Sequence, residues 1–197
     1  MTVPVFSERM PGYGTFGLRP LRIPDDIPTI HDWVHRDYAR FWGLVGASVA
    51  EVEETYRAIT ARPHVEAFLG FHEGSPAFLV ETYLPAEDPI AAHYDARPSD
   101  RGMHVLVAPA TTPIAGFGFC VFTVVMDFVF DDPSVERVVV EPDVRNEKIH
   151  ALNRRAGFEY QRLVELPASP GAPAKTAHLA FCTRDRYDDA RRKSWER

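Results

Sequence analysis

The stretch VVVEPDVRNEKIHALNRRAGF, residues 138–158, constrains the fold more than any other part of the chain. Val138, Val139 and Val140 follow one another, so both faces of the strand 135–140 are apolar. Such a strand needs cover on both sides, which a sheet with helices on each face provides. Glu141 stands at the exit of that strand, a carboxylate where the apolar run ends. A helix is expected next, over Asn146–Ala156, with Gly157 as its left-handed stop.

The remaining segments fill in the same architecture. TFGLRPLRI (15–23) reads as a first strand. In DDIPTIHDWVHRDYARFW (25–42), Ile27, Ile30, Val34, Tyr38 and Phe41 recur at helical spacing. Ser48 and Glu51 form a capping-box pattern that starts a second helix, with Val52, Tyr56 and Ile59 as its apolar stripe. VEAFLGFHE and PAFLVETYL flank Gly74 and Ser75 and predict a hairpin. Residues 102–108 alternate as a strand, and 113–132 predict a buried helix from about Gly116. FEYQRLVEL and KTAHLAFCT are two more strands around a Pro/Gly loop at 167–173.

Residues 1–14 carry Pro4, Pro11, Gly12 and Gly14 and are expected to form a flexible tail. Residues 185–197 are polar and expected to form a helical tail. The single domain between them, 15–184, is expected to be α/β, with a mixed central sheet of about seven strands and helices on both faces.

Composition narrows the function classes. A 197-residue chain fits one domain with a sizeable core. The formal charge of −6 argues against nucleic acid and favours small cationic ligands such as amines. Cys120 and Cys182 lie far apart in apolar contexts, as reduced thiols of a cytoplasmic protein would. No stretch has the roughly 18 apolar residues of a membrane span, and no signal segment opens the chain. His31 and His35 are four apart, but no glutamate stands beside them in zinc-protease order, so no metal is expected. P-loop, nucleophile-elbow and dinucleotide patterns are absent.

Two places suggest chemistry. His104 shares a strand face with Leu106 and Ala108, either as a hydrogen-bonded core residue or as a base. In APATTPIAGFG (108–118), Gly116 and Gly118 open a helix, whose first amides and dipole suit an anion; a plain buried helix start is the alternative.

The element order resembles the GNAT acyltransferase superfamily over nearly the whole chain. The helix frame carries the resemblance: Asn146, Ile149, Asn153, Gly157 and Phe158 keep the family's spacing. Asn153 replaces the usual tyrosine, and Pro113 stands where a glutamine or arginine is usual. The resemblance implies splayed parallel strands four and five with acyl-CoA between them. It implies contacts to the co-substrate from Leu106, Val107, Ala115, Gly116, Phe117, Gly118, Arg145, Asn146 and Asn153. Asn146 has a plainer alternative, as a cap of its own helix.

GMHVLVAP, VVVEPDVRN and HDWVHRDYARFW are similar to the siderophore acyltransferases, nearest those of the desferrioxamine pathway. That implies His104 and Glu141 as the catalytic pair, meeting beside the thioester. It implies an N-hydroxycadaverine-like acceptor and acetyl-CoA or succinyl-CoA as donor, with a pathway hydroxylase and a siderophore synthetase as possible partners. Trp33, Phe41 and Trp42 would border the acceptor or be simply core; Glu81 and Tyr83 share a strand face, where Glu81 would hold the acceptor's distal ammonium or be a solvated strand-end acid. Hydroxylysine, an aminoglycoside or another small amine is the alternative acceptor. An inactive acyl-CoA-binding scaffold is the alternative of another class.

Overall fold

The computed structural model describes residues 3–110, 112–168 and 173–195. Parts of both expected tails and of the 167–173 loop lie outside the described residues. Among those described, eight strands form one sheet in the order β1-β2-β3-β4-β5-β6-β8-β7. They are β1 (Phe6–Met10), β2 (Gly14–Pro20), β3 (Val65–His72), β4 (Ser75–Tyr83), β5 (Asp100–Val107), β6 (Arg137–Val140), β7 (Glu159–Leu166) and β8 (Lys175–Thr183). The α-helices are α1 (Ile27–Val34), α2 (Val49–Thr60), α3 (Phe117–Asp131), α4 (Glu147–Arg155) and α5 (Arg184–Trp195). None is long and apolar enough to cross a membrane.

The sheet has eight strands rather than about seven because part of the expected N-terminal tail is β1. Phe6 pairs with Leu18 and Met10 with Gly14. The glycines read as marks of a loose tail are the turn of this hairpin, with Gly12 and Gly14 at φ +77° and +93°.

The first helix also departs from its expected length. α1 stops at Val34, and a 3-10 turn follows at Asp37–Ala39. The last carbonyls of α1 find side-chain partners. His35 Nδ1 lies 2.6 Å from the His31 carbonyl, and Arg36 Nε donates to the Asp32 carbonyl at 2.7 Å. The Asp32 carbonyl is a group that a longer helix would have used, whereas the His31 carbonyl also accepts the His35 amide. α2 keeps its expected start: Ser48 Oγ accepts the Glu51 amide, and Glu51 Oε2 accepts the Ser48 amide at 2.7 Å.

Contacts divide the chain into two compact units. Among the described residues, the first holds 3–81, 104–110, 112–125 and 173. Its core joins Ile27, Ile30 and Val34 of α1, Val52 and Tyr56 of α2, and Leu69, Leu79 and Leu106 of the sheet. The second holds residues 82–103, 126–168 and 174–195. Here Val138, Val139 and Val140 are buried, as the doubly apolar strand required. β6 lies parallel to β5, from Asp100↔Arg137 to Gly102↔Val139, and antiparallel to β8. Arg137 of β6 is fixed by Asp100, with Nη2 2.7 Å from Oδ2. α4 ends as expected at Gly157, which is left-handed at φ +93°.

Candidate active site

Strand alternation places the imidazole. Leu79 and Leu106 both join the core beneath α1 and α2. Glu81 and His104, each two residues away along its strand, therefore project on the same side. His104 Nδ1 lies 3.1 Å from Glu81 Oε2, with side-chain exposures of 40% and 11%. The carboxylate accepts, so Nδ1 carries the proton in this bond. Tyr56 of α2 is fully buried next to Glu81. Burial first, and the Glu81 charge second, hold its phenol well above the ordinary tyrosine range, so it remains a donor. Trp42 Nε1 donates to Tyr56 Oη at 2.9 Å. The Trp42 ring meets the His104 ring edge-on, with centroids 6.3 Å apart.

Glu81 and Trp42, expected at the acceptor, thus surround His104. Tyr56 was legible only as an apolar stripe residue. Trp33 is buried in the α1 core. Phe41 is half-buried beneath the Arg40 guanidinium, 4.7 Å from its ring centroid.

The start of α3 has a brace that the sequence did not show. Tyr13, at the β1–β2 turn, donates its hydroxyl to the Ala115 carbonyl at 2.8 Å. Gly116 is left-handed at φ +76°, and a Cβ there would come 2.4 Å from Tyr13 Oη. A Cβ on Gly118 would meet no atom of the described residues within 4 Å beyond its own helix backbone and chain neighbours, so open space borders the first turn. No acidic residue stands in that turn. The amides and dipole of the helix start can therefore face an anion. The rings of His72 and Phe117 pack with centroids 5.0 Å apart, and His72 Nε2 lies 2.5 Å from the Tyr13 carbonyl. Leu106 is buried and Val107 half-buried on β5.

In the second unit, Glu141 follows β6 and is buried. Tyr83 donates its hydroxyl to Glu141 Oε2 at 2.5 Å, and Lys175 Nζ lies 3.5 Å from Oε1. Burial, then the Glu141 charge, keep the Tyr83 phenol well above its ordinary pKa. A Cβ at Gly102 would fall 2.1 Å from the Tyr83 ring, so glycine there gives that ring its place. Tyr83, expected at the acceptor, holds the carboxylate. Lys175 was not anticipated, because nothing in KTAHLAFCT sets it apart from a strand-end lysine.

Arg145 forms a two-pronged pair with Asp143, at 2.8 and 2.6 Å, which lowers the Asp143 pKa. Asn146 caps α4 through the Ile149 amide, at 3.4 Å. Asn153 is fully buried, and neither Oδ1 nor Nδ2 has a hydrogen-bond partner among the described residues. Such a group is costly unless something else satisfies it.

Known proteins share this architecture. The family model described as an acetyltransferase (GNAT) domain matches residues 22–166. An N-hydroxyputrescine acetyltransferase of Acinetobacter baumannii is 23% identical over 185 residues, covering 94% of this chain and 86% of that protein. A lysine N-acyltransferase of Mycobacterium sp. (strain MCS) is 28% identical over 189 residues, covering 87% and 71%. A solved aminoglycoside acetyltransferase, AAC(6')-Ib with coenzyme A and kanamycin, superposes with a TM-score of 0.75 at 23% identity, covering 89% of this chain and 99% of that one. The family match spans most of the sheet and the helix frame from Asn146 to Phe158, and on it the chain belongs to the GNAT acetyltransferases, as an N-acyltransferase.

Proposed function

We propose that the protein transfers an acyl group from acyl-CoA to the nitrogen of an N-hydroxylated diamine, forming a hydroxamate for siderophore assembly. The observation that carries this reading is the partly exposed imidazole of His104 with Nδ1 held by Glu81. A histidine titrates near 6.5, whereas an alkylammonium titrates near 10.4. An N-hydroxylamine loses its proton near neutrality, so an imidazole is a sufficient base for it. The relative named N-hydroxyputrescine acetyltransferase, matched along 94% of this chain, supports the acceptor class.

In this scheme His104 takes the acceptor proton as the nitrogen attacks the thioester carbon. The C–N bond forms, the C–S bond breaks, and the imidazolium returns the proton to the departing thiolate. The amides of Leu106 and Val107 polarise the carbonyl. In the second unit the buried Glu141 is kept in place by Tyr83 and Lys175. The start of α3, at Ala115, Gly116, Phe117 and Gly118, takes the co-substrate pyrophosphate. One observation fits that co-substrate: the open space beside Gly118. Arg145 is exposed on its outer side and suits a phosphate. Acetyl-CoA or succinyl-CoA is the donor, and a hydroxylase supplies the acceptor.

Mass spectrometry of products from a mixed panel tests this reading. Acetyl-CoA and succinyl-CoA are offered with N-hydroxycadaverine, N-hydroxyputrescine, hydroxylysine, cadaverine and an aminoglycoside. A hydroxamate with acceptor-dependent thiol release is expected. Acylation of the aminoglycoside or plain amine alone would overturn the acceptor, and binding without thiol release would leave only a scaffold.

A further inference from the structure

We infer that Glu81 is the positioning residue of His104, and that Tyr56 and Trp42 hold Glu81 in that task. This rests on the proposed role of His104 as base and deepens it. Four elements supply the parts: Trp42 follows the 3-10 turn, Tyr56 is on α2, Glu81 on β4 and His104 on β5. They form a closed circuit. Trp42 Nε1 donates to Tyr56 Oη, Tyr56 faces the Glu81 carboxylate, and Glu81 Oε2 accepts from His104 Nδ1. The Trp42 ring then returns edge-on to the imidazole.

Burial decides what the carboxylate does. A charge taken out of water must be offset by hydrogen bonds of good geometry. Glu81 is 9% exposed and has His104 on one side and the buried Tyr56 phenol on the other. A substrate ammonium would have to break this arrangement to reach it. The carboxylate instead acts on the imidazole in two ways. It fixes the ring about its side-chain torsions, although the histidine is partly exposed. It also selects the tautomer with the proton on Nδ1, so that proton exchange with the acceptor runs through Nε2. Tyr56, kept protonated by burial, completes the carboxylate's shell, and Trp42 orders the phenol.

The test compares wild type with Glu81→Gln, Glu81→Leu, Tyr56→Phe and His104→Ala in the full chain. Steady-state kinetics with acetyl-CoA and N-hydroxycadaverine should show kcat lowered about 10²-fold in Glu81→Leu, the scale of a misplaced catalytic group. KM for both substrates should stay near the wild-type values, and Tyr56→Phe should fall between the two. Nitrogen-15 NMR of the imidazole needs no substrate. His104, assigned by its loss in His104→Ala, should show the Nδ1-protonated pattern in wild type and the Nε2-protonated pattern in Glu81→Leu. Thermal melting identifies any variant that fails to fold, and Glu81→Met, which lacks an acceptor oxygen, then replaces Glu81→Leu; Glu81→Gln keeps an acceptor and should retain the Nδ1-protonated pattern.

An unchanged tautomer, or an unchanged kcat with a raised acceptor KM, would overturn the inference and return Glu81 to the acceptor. A fully active His104→Ala would instead remove the base from the proposed function. The tautomer result would still decide the Glu81–His104 relationship.

Discussion

The hydroxyl of Tyr13 donates to the carbonyl of Ala115 at 2.8 Å, across 102 positions of sequence. The turn of the first hairpin thus holds the peptide that opens α3, where the co-substrate pyrophosphate is proposed to bind. A neutral hydrogen bond contributes about 1 kcal/mol net. Tyr13→Phe should raise the dissociation constant for acyl-CoA roughly fivefold, by that same free energy, with kcat at saturation little changed. Isothermal titration with coenzyme A measures this, and an unchanged affinity would show that the brace does not reach the ligand.

Gly116 is under a stricter constraint than a flexible linker would be. Its φ of +76° and the 2.4 Å approach to Tyr13 Oη leave no room for a side chain. Gly116→Ala should cost about 1–2 kcal/mol in a left-handed conformation, before the Tyr13 clash is counted. The expected readouts are a lower urea midpoint and weaker coenzyme A binding. Tyr13→Phe in the same background should relieve part of the loss, because it removes the oxygen that the new methyl meets.

Lys175 offsets the charge of a buried carboxylate. Lys175→Met should leave Glu141 with the Tyr83 hydroxyl and without that cation. Leaving a buried polar group short of a partner costs about 1–3 kcal/mol, read as a lower unfolding midpoint at pH 7. Pairing the change with Glu141→Gln should recover most of that loss. A midpoint equal to wild type in Lys175→Met would show that the pair contributes nothing to stability.

His150 provides a pH dependence with a definite sign. Burial lowers its pKa, against the hydrogen bond between Nε2 and the Asp143 carbonyl, at 3.0 Å, which raises it; Nδ1 lies 2.7 Å from the Tyr160 hydroxyl. The folded pKa lies below the unfolded value of about 6.5. The unfolded chain therefore binds more protons in that window, and stability falls as pH drops below about 6.5. His150→Gln should flatten this slope in unfolding curves taken between pH 7 and 5. A slope unchanged by the substitution would place the dependence on other groups.

The parts of the fold that were legible in sequence are those fixed by local pattern. Three valines in a row demanded cover on both faces, Ser48 and Glu51 announced α2, and Gly157 ended α4. The parts that were not legible depend on distant partners. Pro11, Gly12 and Gly14 look the same in a loose tail and in a hairpin turn, and only pairing with β2 tells them apart. The periodicity from Ile27 to Phe41 could not show that His35 and Arg36 would take the carbonyls at the end of α1. At the site, alternation gave the faces of Glu81 and His104. That they meet requires β4 to lie next to β5, which is a property of the sheet order. Tyr56 looked like core because its ring is core; only its hydroxyl belongs to the site.

The most direct measurement is acceptor-dependent thiol release from acetyl-CoA with N-hydroxycadaverine, in wild type and in His104→Ala. Loss of a general base costs about 10²–10⁴-fold. In His104→Ala kcat should fall by that factor while coenzyme A affinity holds. Turnover in His104→Ala equal to that of wild type would contradict it.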